Sequence, residues 1–134
     1  MCVDAFKKAY AMFVARWGRR LPSVEQYFPE LSGDLGVTED DIRNEPLIYR
    51  KLFSDDCRGL IEEFYRSAIL KMRGTSYEDA ADILEALAFI QEVTAIALWR
   101  FDCPMSRVLK EFARDFDRLD VPEERYRLYQ SAQT

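Results

Sequence analysis

Residues 15–20, with the sequence ARWGRR, place three arginines around a tryptophan at the predicted end of a helix. Guanidinium groups can hold a phosphate through paired hydrogen bonds, and an aromatic ring can stack on a base. The residues that would contact an anion or a nucleic acid are Arg16, Trp17, Arg19 and Arg20. The alternative is a solvated helix end, where cations lie favourably beside the negative end of the helix dipole. Since the chain has a net charge of −5, one short basic cluster is a small electrostatic footprint for nucleic acid.

The chain contains no histidine, which excludes several kinds of catalytic and metal-binding site. Ser–His and Cys–His nucleophile pairs, histidine general bases and histidine-ligated zinc all need a side chain that is absent. Glu85 and Glu92 share one face of a predicted helix, but the carboxylate-bridged metal sites of helical bundles usually add a Glu-x-x-His motif. We therefore expect no catalytic residue, no cofactor and no metal, and a protein that is not an enzyme.

Three cysteines, Cys2, Cys57 and Cys103, are odd in number and widely spaced. This pattern is not a disulfide framework, and it contains no Cys-x-x-Cys pair for a metal. The first ten residues, MCVDAFKKAY, lack the positive segment and following apolar segment that are typical of a signal peptide. Free thiols and the absence of an export signal together predict a cytoplasmic protein.

The stretch 84–101, LEALAFIQEVTAIALWRF, is the most apolar part of the chain. We do not interpret it as a membrane span, because a span needs about 20 apolar residues among which charges are rare. At about 100° per residue, Glu85, Glu92 and Arg100 instead fall within one polar stripe of an amphipathic helix.

Two apolar residues, Phe89 and Ile96, lie in the middle of this polar stripe. Fully burying such side chains is worth roughly 1.5–3 kcal/mol each, so leaving both in water would forgo a substantial stabilisation. Either another part of the chain covers them, for example the short helix at 24–28 or the C-terminal tyrosines, or a second molecule does. In the second case, the candidate interface consists of Phe89, Ile96, Glu85, Glu92 and Arg100.

Two polar residues, Gln91 and Thr94, face the apolar side of the same helix and must find hydrogen-bond partners there. Thr94 can bond to the backbone one turn earlier. Gln91 has no comparable local partner.

Capping residues and helix breakers divide the whole chain into helices. Gly18 and Gly74 are predicted helix ends, whereas Thr38 and Ser106 are predicted starts. Four main helices are predicted at about residues 3–17, 55–73, 76–103 and 106–119, with shorter helices at about 23–28, 39–44 and 122–130. The acidic residues between positions 34 and 56 either supply favourable helix starts or form a face for a basic partner.

These elements predict an all-α fold over residues 1–134, a compact, bundle-like single domain of four main helices and two or three short ones. Our leading hypothesis for function is a small non-enzymatic interaction module, such as an adaptor, an inhibitor or an immunity-type protein, that acts through a helical face. A protein partner or a homodimer would cover that face, and no membrane is involved. The alternative hypothesis is a regulatory protein that associates with nucleic acid through the cluster at 16–20.

Overall fold

A computed structural model of the chain describes residues 2–119 and 121–131. These residues form eight α-helices and one short 3₁₀-helix, with no strand among them, which confirms the predicted all-α class. The helices are α1 (Cys2–Trp17), α2 (Pro22–Tyr27), α3 (Glu39–Arg43), α4 (Glu45–Leu52), α5 (Asp55–Met72), α6 (Ala81–Trp99), α7 (Arg107–Arg118) and α8 (Pro122–Ser131), and the 3₁₀-helix is Pro29–Ser32. The four longest are α1, α5, α6 and α7, as predicted.

Several predicted helix ends are confirmed in atomic detail. Gly18 and Gly74 follow α1 and α5 with φ of 70° and 79°, a left-handed conformation that glycine adopts without a steric penalty. Thr38 and Asp41 form a capping box: the Asp41 N–H donates to Thr38 Oγ1 at 3.2 Å, and the Thr38 N–H donates to Asp41 Oδ2 at 3.1 Å. Ser106 Oγ likewise accepts from the N–H of Leu109 at the start of α7.

Helix α6 is shorter than predicted at both ends. Ser76 Oγ accepts from the N–H of Asp79, but residues 77–80 form turns and the helix begins only at Ala81. At the other end, Asp102 has a φ of 49°, and the Cys103 N–H donates back to the carbonyl of Ala97 at 2.9 Å. This turn stops the helix at Trp99, several residues before Pro104.

Residues 45–52, for which no helix was predicted, form a helix of their own, α4. Proline stands in the first turn of α4, where its missing N–H removes no helical hydrogen bond. Asp120 precedes α8 and has a residue type that commonly caps a helix, but it lies outside the described residues.

Helix α6 occupies the centre of the bundle and packs against α1, α2, α4, α5 and α7. Thr94 bonds as predicted, since its hydroxyl donates to the carbonyls of Ile90 at 2.8 Å and Gln91 at 3.0 Å. The Gln91 side chain is fully buried and faces the Tyr129 hydroxyl, but neither group reaches hydrogen-bond geometry. No helix in the described ranges is long and apolar enough to cross a membrane, in agreement with our interpretation of residues 84–101.

The cysteines correct one expectation. Cys103 is a free, buried thiol, and burial raises its pKa. Cys57 is also buried but is disulfide-bonded, so the prediction of free thiols throughout is wrong.

Candidate protein-interaction site

Phe89 is covered within the chain. Its side chain is fully buried, and its ring centroid lies 5.6 Å from that of Phe6, 5.4 Å from Tyr10 and 5.1 Å from Phe13, all in edge-to-face geometry. These three rings belong to helix α1. The sequence had suggested the short helix at 24–28 or the C-terminal tyrosines as the cover, but not α1. Phe89 is therefore a core residue, and its candidate role in an interface is corrected. Ile96 is half-buried and packs against the same core.

Glu92 also lies in the predicted polar stripe, but only a tenth of its side chain is exposed. Its carboxylate joins α6 to the end of α1: Arg16 Nη1 donates to Oε1 at 2.6 Å, and Trp17 Nε1 donates to Oε2 at 2.5 Å. Both oxygens therefore accept a hydrogen bond, which offsets the cost of shielding the charge.

Two further carboxylates extend this arrangement. Arg19 pairs with Glu85, which lies about two helical turns before Glu92 on α6. Glu45, at the start of α4, lies 3.8 Å from both Arg16 and Arg100. We call this set the α1–α6 network, and its members are Arg16, Arg19, Glu45, Glu85, Glu92 and Arg100.

The fourth residue of the basic cluster, Arg20, points elsewhere. Its guanidinium donates to the Glu25 carboxylate and to the carbonyls of Leu31 and Gly33. Arg20 therefore holds the loop after α2 in place and is not part of the α1–α6 network.

Burial and neighbouring charges shift the pKa values of Arg16 and of Tyr49, which lies beside the network. Burial lowers the pKa of Arg16, but the hydrogen bond and the negative charge of Glu92 outweigh this effect, so the net shift is upward. Burial, followed by the charge of Glu45, raises the pKa of the Tyr49 hydroxyl. Arg16 therefore stays cationic and the nearby tyrosine stays neutral at physiological pH.

Two tryptophans are exposed beside the network. Trp17 is 58% exposed even though its indole N–H is bonded to Glu92, and Trp99 is 52% exposed. Trp99 follows Glu92 by seven residues on α6, which places both on one side of the helix. We call Trp17, Trp99 and the α1–α6 network together the tryptophan face.

A cavity of about 410 Å³ adjoins the tryptophan face. Trp17, Arg19, Glu85 and Glu92 form its polar and aromatic side, and Phe116 and Arg125 close it from α7 and α8. Trp17 and Arg19 of the basic cluster therefore meet Glu85 and Glu92 of α6 at one place, whereas Arg20 and Phe89 do not line it.

Sequence reasoning missed two members of this site. Trp99 had a readable signal, since it repeats the seven-residue spacing of Glu85 and Glu92. Glu45 had none, because its partners Arg16 and Arg100 lie far away in the sequence. Among the described residues, no cluster of three or more carboxylates or cysteines could hold a metal ion.

A family model described as "Immunity protein CdiI-like" matches residues 49–133, which is more than half of the chain. The chain belongs to this immunity-protein family. Membership implies a protein partner, the toxin that an immunity protein counteracts. The match includes all of α5 to α8, whereas α1 and its arginines lie before it. No curated protein and no solved structure matches the chain.

Proposed function

We propose that this chain is a non-enzymatic inhibitor that binds a protein toxin and blocks its action. The family match carries this proposal, because it points to an immunity-type interaction module. The absence of histidine from the sequence supports it, since common acid–base and nucleophile pairs cannot be built.

The surface proposed for the toxin is the tryptophan face. Tryptophan and arginine are the residue types most enriched among the side chains that dominate binding energies. Here Glu92 holds both Arg16 and Trp17 in place, so less side-chain freedom remains to be lost on binding. Glu85, Ile96 and Arg100 keep their candidate role at this face as neighbours of the tryptophans.

The alternative, association with nucleic acid through Arg16, Trp17, Arg19 and Arg20, has less support. Each of the three guanidinium groups already pairs with a glutamate, so little uncompensated positive charge is left for phosphate. A gel-shift titration tests this alternative, since phosphate contacts require affinity to fall linearly with the logarithm of salt concentration. No binding at low salt would remove it.

Growth rescue tests the toxin hypothesis. Toxin-domain genes that neighbour the gene for this chain are expressed singly in a host cell, with and without the wild-type chain. We expect the chain to restore growth against one of them and to form a complex with that toxin on size exclusion. Failure to rescue or bind any of these toxins would contradict the proposed function.

Two tryptophan variants, Trp17→Ala and Trp99→Ala, then test the proposed surface. We expect each to weaken the complex by more than about tenfold, as truncation of a dominant interface residue does. Leu60→Ala is the matched control, because Leu60 is exposed on α5 and does not line the cavity beside Trp17. Equal affinities for all three variants and the wild type would place the toxin on another surface.

We propose that the chain acts in the cytoplasm. A Cys57 disulfide that stays oxidised in the cell would contradict this, because disulfides persist in oxidising compartments. Cell fractionation combined with thiol alkylation tests both points together. Light scattering on the purified chain tests whether a homodimer forms without the toxin.

A further inference from the structure

A groove of about 600 Å³ runs between α5, α7 and α8. Its floor is aromatic: the Tyr65 ring lies 4.1 Å from the Phe112 ring, centroid to centroid. Leu70 forms part of one wall and is 60% exposed. Every residue that lines the groove lies within the family-matched segment 49–133, and the tryptophan face contributes none of them.

One wall of this groove carries a carboxylate that has no direct hydrogen-bond or ion-pair contact. Asp115 on α7 is half-buried and forms no hydrogen bond and no ion pair within 4 Å with any described residue, although the charges of Arg118 and Arg114 on the same helix act on it.

The second carboxylate at the groove, Glu111, pairs with Arg107 at 3.0 Å. Arg66, the cation that lines the groove, pairs with Glu62 at 3.9 Å. Asp115 therefore has no direct ion-pair contact at the groove, where a cation would be attracted more strongly than in bulk water.

Burial is the main reason that the pKa of Asp115 is raised. The carboxylate is therefore partly desolvated in the free protein. A cation that entered the groove would meet a charge that has already lost part of its hydration.

We propose that this groove is a docking site for a protein segment that carries an arginine or lysine beside an apolar side chain. The cation pairs with Asp115 and lies over the ring of Tyr65, which adds a cation–π contact. The apolar neighbour packs on Leu70 and Phe112. This site is separate from the tryptophan face, and the proposal does not rest on the function proposed there.

Small capped peptides test the groove directly. The full chain, labelled with ¹⁵N, is titrated with acetyl-Leu-Arg-Leu-amide and followed by amide chemical shifts. Two controls change one feature each: citrulline in place of arginine removes the charge, and glycine in place of both leucines removes the apolar flanks. We expect shifts centred on Tyr65, Leu70 and Asp115, with the arginine peptide binding about fivefold tighter than either control.

Matched variants assign that preference to named side chains. Asp115→Asn should remove the difference between the arginine and citrulline peptides, whereas Asp117→Asn, an exposed carboxylate on the same helix, should preserve it. Leu70→Asp should weaken binding at least fivefold, and Leu60→Asp should leave it within twofold. Circular dichroism verifies that each variant is folded, and Asp115→Asn is expected to fold because it removes a partly desolvated charge that makes no direct ion pair.

Three outcomes would overturn the proposal. They are equal affinity for the arginine and citrulline peptides, shifts that lie outside the groove, and an Asp115→Asn variant that behaves like Asp117→Asn. None of them bears on the toxin rescue experiment, so failure of the groove and failure of the proposed function are distinguishable.

Discussion

Replacing Glu92 by glutamine is expected to destabilise the fold by loosening the end of α1 from α6. The carboxylate accepts from both Arg16 and Trp17, and hydrogen bonds to a charged group contribute about 1.5–3 kcal/mol each when well shielded. The Arg16 side chain is 41% exposed, so solvent screening reduces its share toward the ~1 kcal/mol of a surface pair. The glutamine side chain keeps one carbonyl oxygen as a neutral acceptor. Its NH2 group would face the N–H of the second donor, either Arg16 or Trp17, and cannot accept a hydrogen bond from it. We therefore expect the free energy of unfolding to fall by about 1–2 kcal/mol.

Urea denaturation measures this loss, and fluorescence locates it. In a Trp99→Phe background, Trp17 is the only tryptophan left of the two in the sequence. The emission of Trp17 should shift to longer wavelength in Glu92→Gln, because its indole N–H loses a charged partner and gains water. The melting temperature should fall by roughly 3–8 °C for a domain of this size.

Glu85→Gln is the matched control, with the same substitution on the same side of the same helix. Glu85 and Arg19 are 34% and 58% exposed, so breaking their pair should cost about 0.5 kcal/mol or less. A double-mutant cycle with Arg16→Met should give a coupling energy of about 1 kcal/mol between Arg16 and Glu92. The reasoning fails if both glutamines have equal cost, or if Glu92→Gln is as stable as the wild type.

Three other predictions follow from burial. Phe89→Ala should cost about 3–5 kcal/mol in urea denaturation, because it leaves a cavity under α1, and a cost below about 1 kcal/mol would contradict core placement. Gln91→Leu combined with Tyr129→Phe should raise the melting temperature, because three buried polar atoms without partners are removed, and a lower value would refute this. Burial also raises the pKa values of Tyr49, Tyr65 and Tyr129. Since these tyrosines ionise near pH 10 only when unfolded, the unfolded state binds fewer protons above that pH, and stability should fall as pH rises through 10. Absorbance at 295 nm should show them titrating together with unfolding, and independent titration in the folded state would contradict their burial.

Helix ends were the best-predicted feature because their signals are local. Thr38 reaches Asp41 three residues away, and Gly18 and Gly74 act through their own backbone conformation. The bounds of α6 were wrong for a related reason. Ser76 has the side chain of a cap and makes a capping-type bond, but the following residues turn once more before the helix starts.

The candidate site was only half predictable. The residue types were recognised on both segments, and the conflict between Phe89 and its charged neighbours was visible from the helical period alone. What covers Phe89 was left open, because helical spacing reports which side of a helix a residue lies on and not which element packs there.

The sequence by itself therefore determined the helical class, most helix ends and the absence of histidine chemistry, since these depend on residue type and on contacts within a few positions. Only the tertiary structure decided that α1 covers Phe89 and that Arg16 reaches Glu92 across 76 positions of the chain. It also decided that Asp115 lacks a direct ion-pair contact with the described residues while Glu111 pairs with Arg107. These outcomes depend on how amphipathic helices share a limited apolar surface, and many arrangements of the same helices would satisfy the same local pattern.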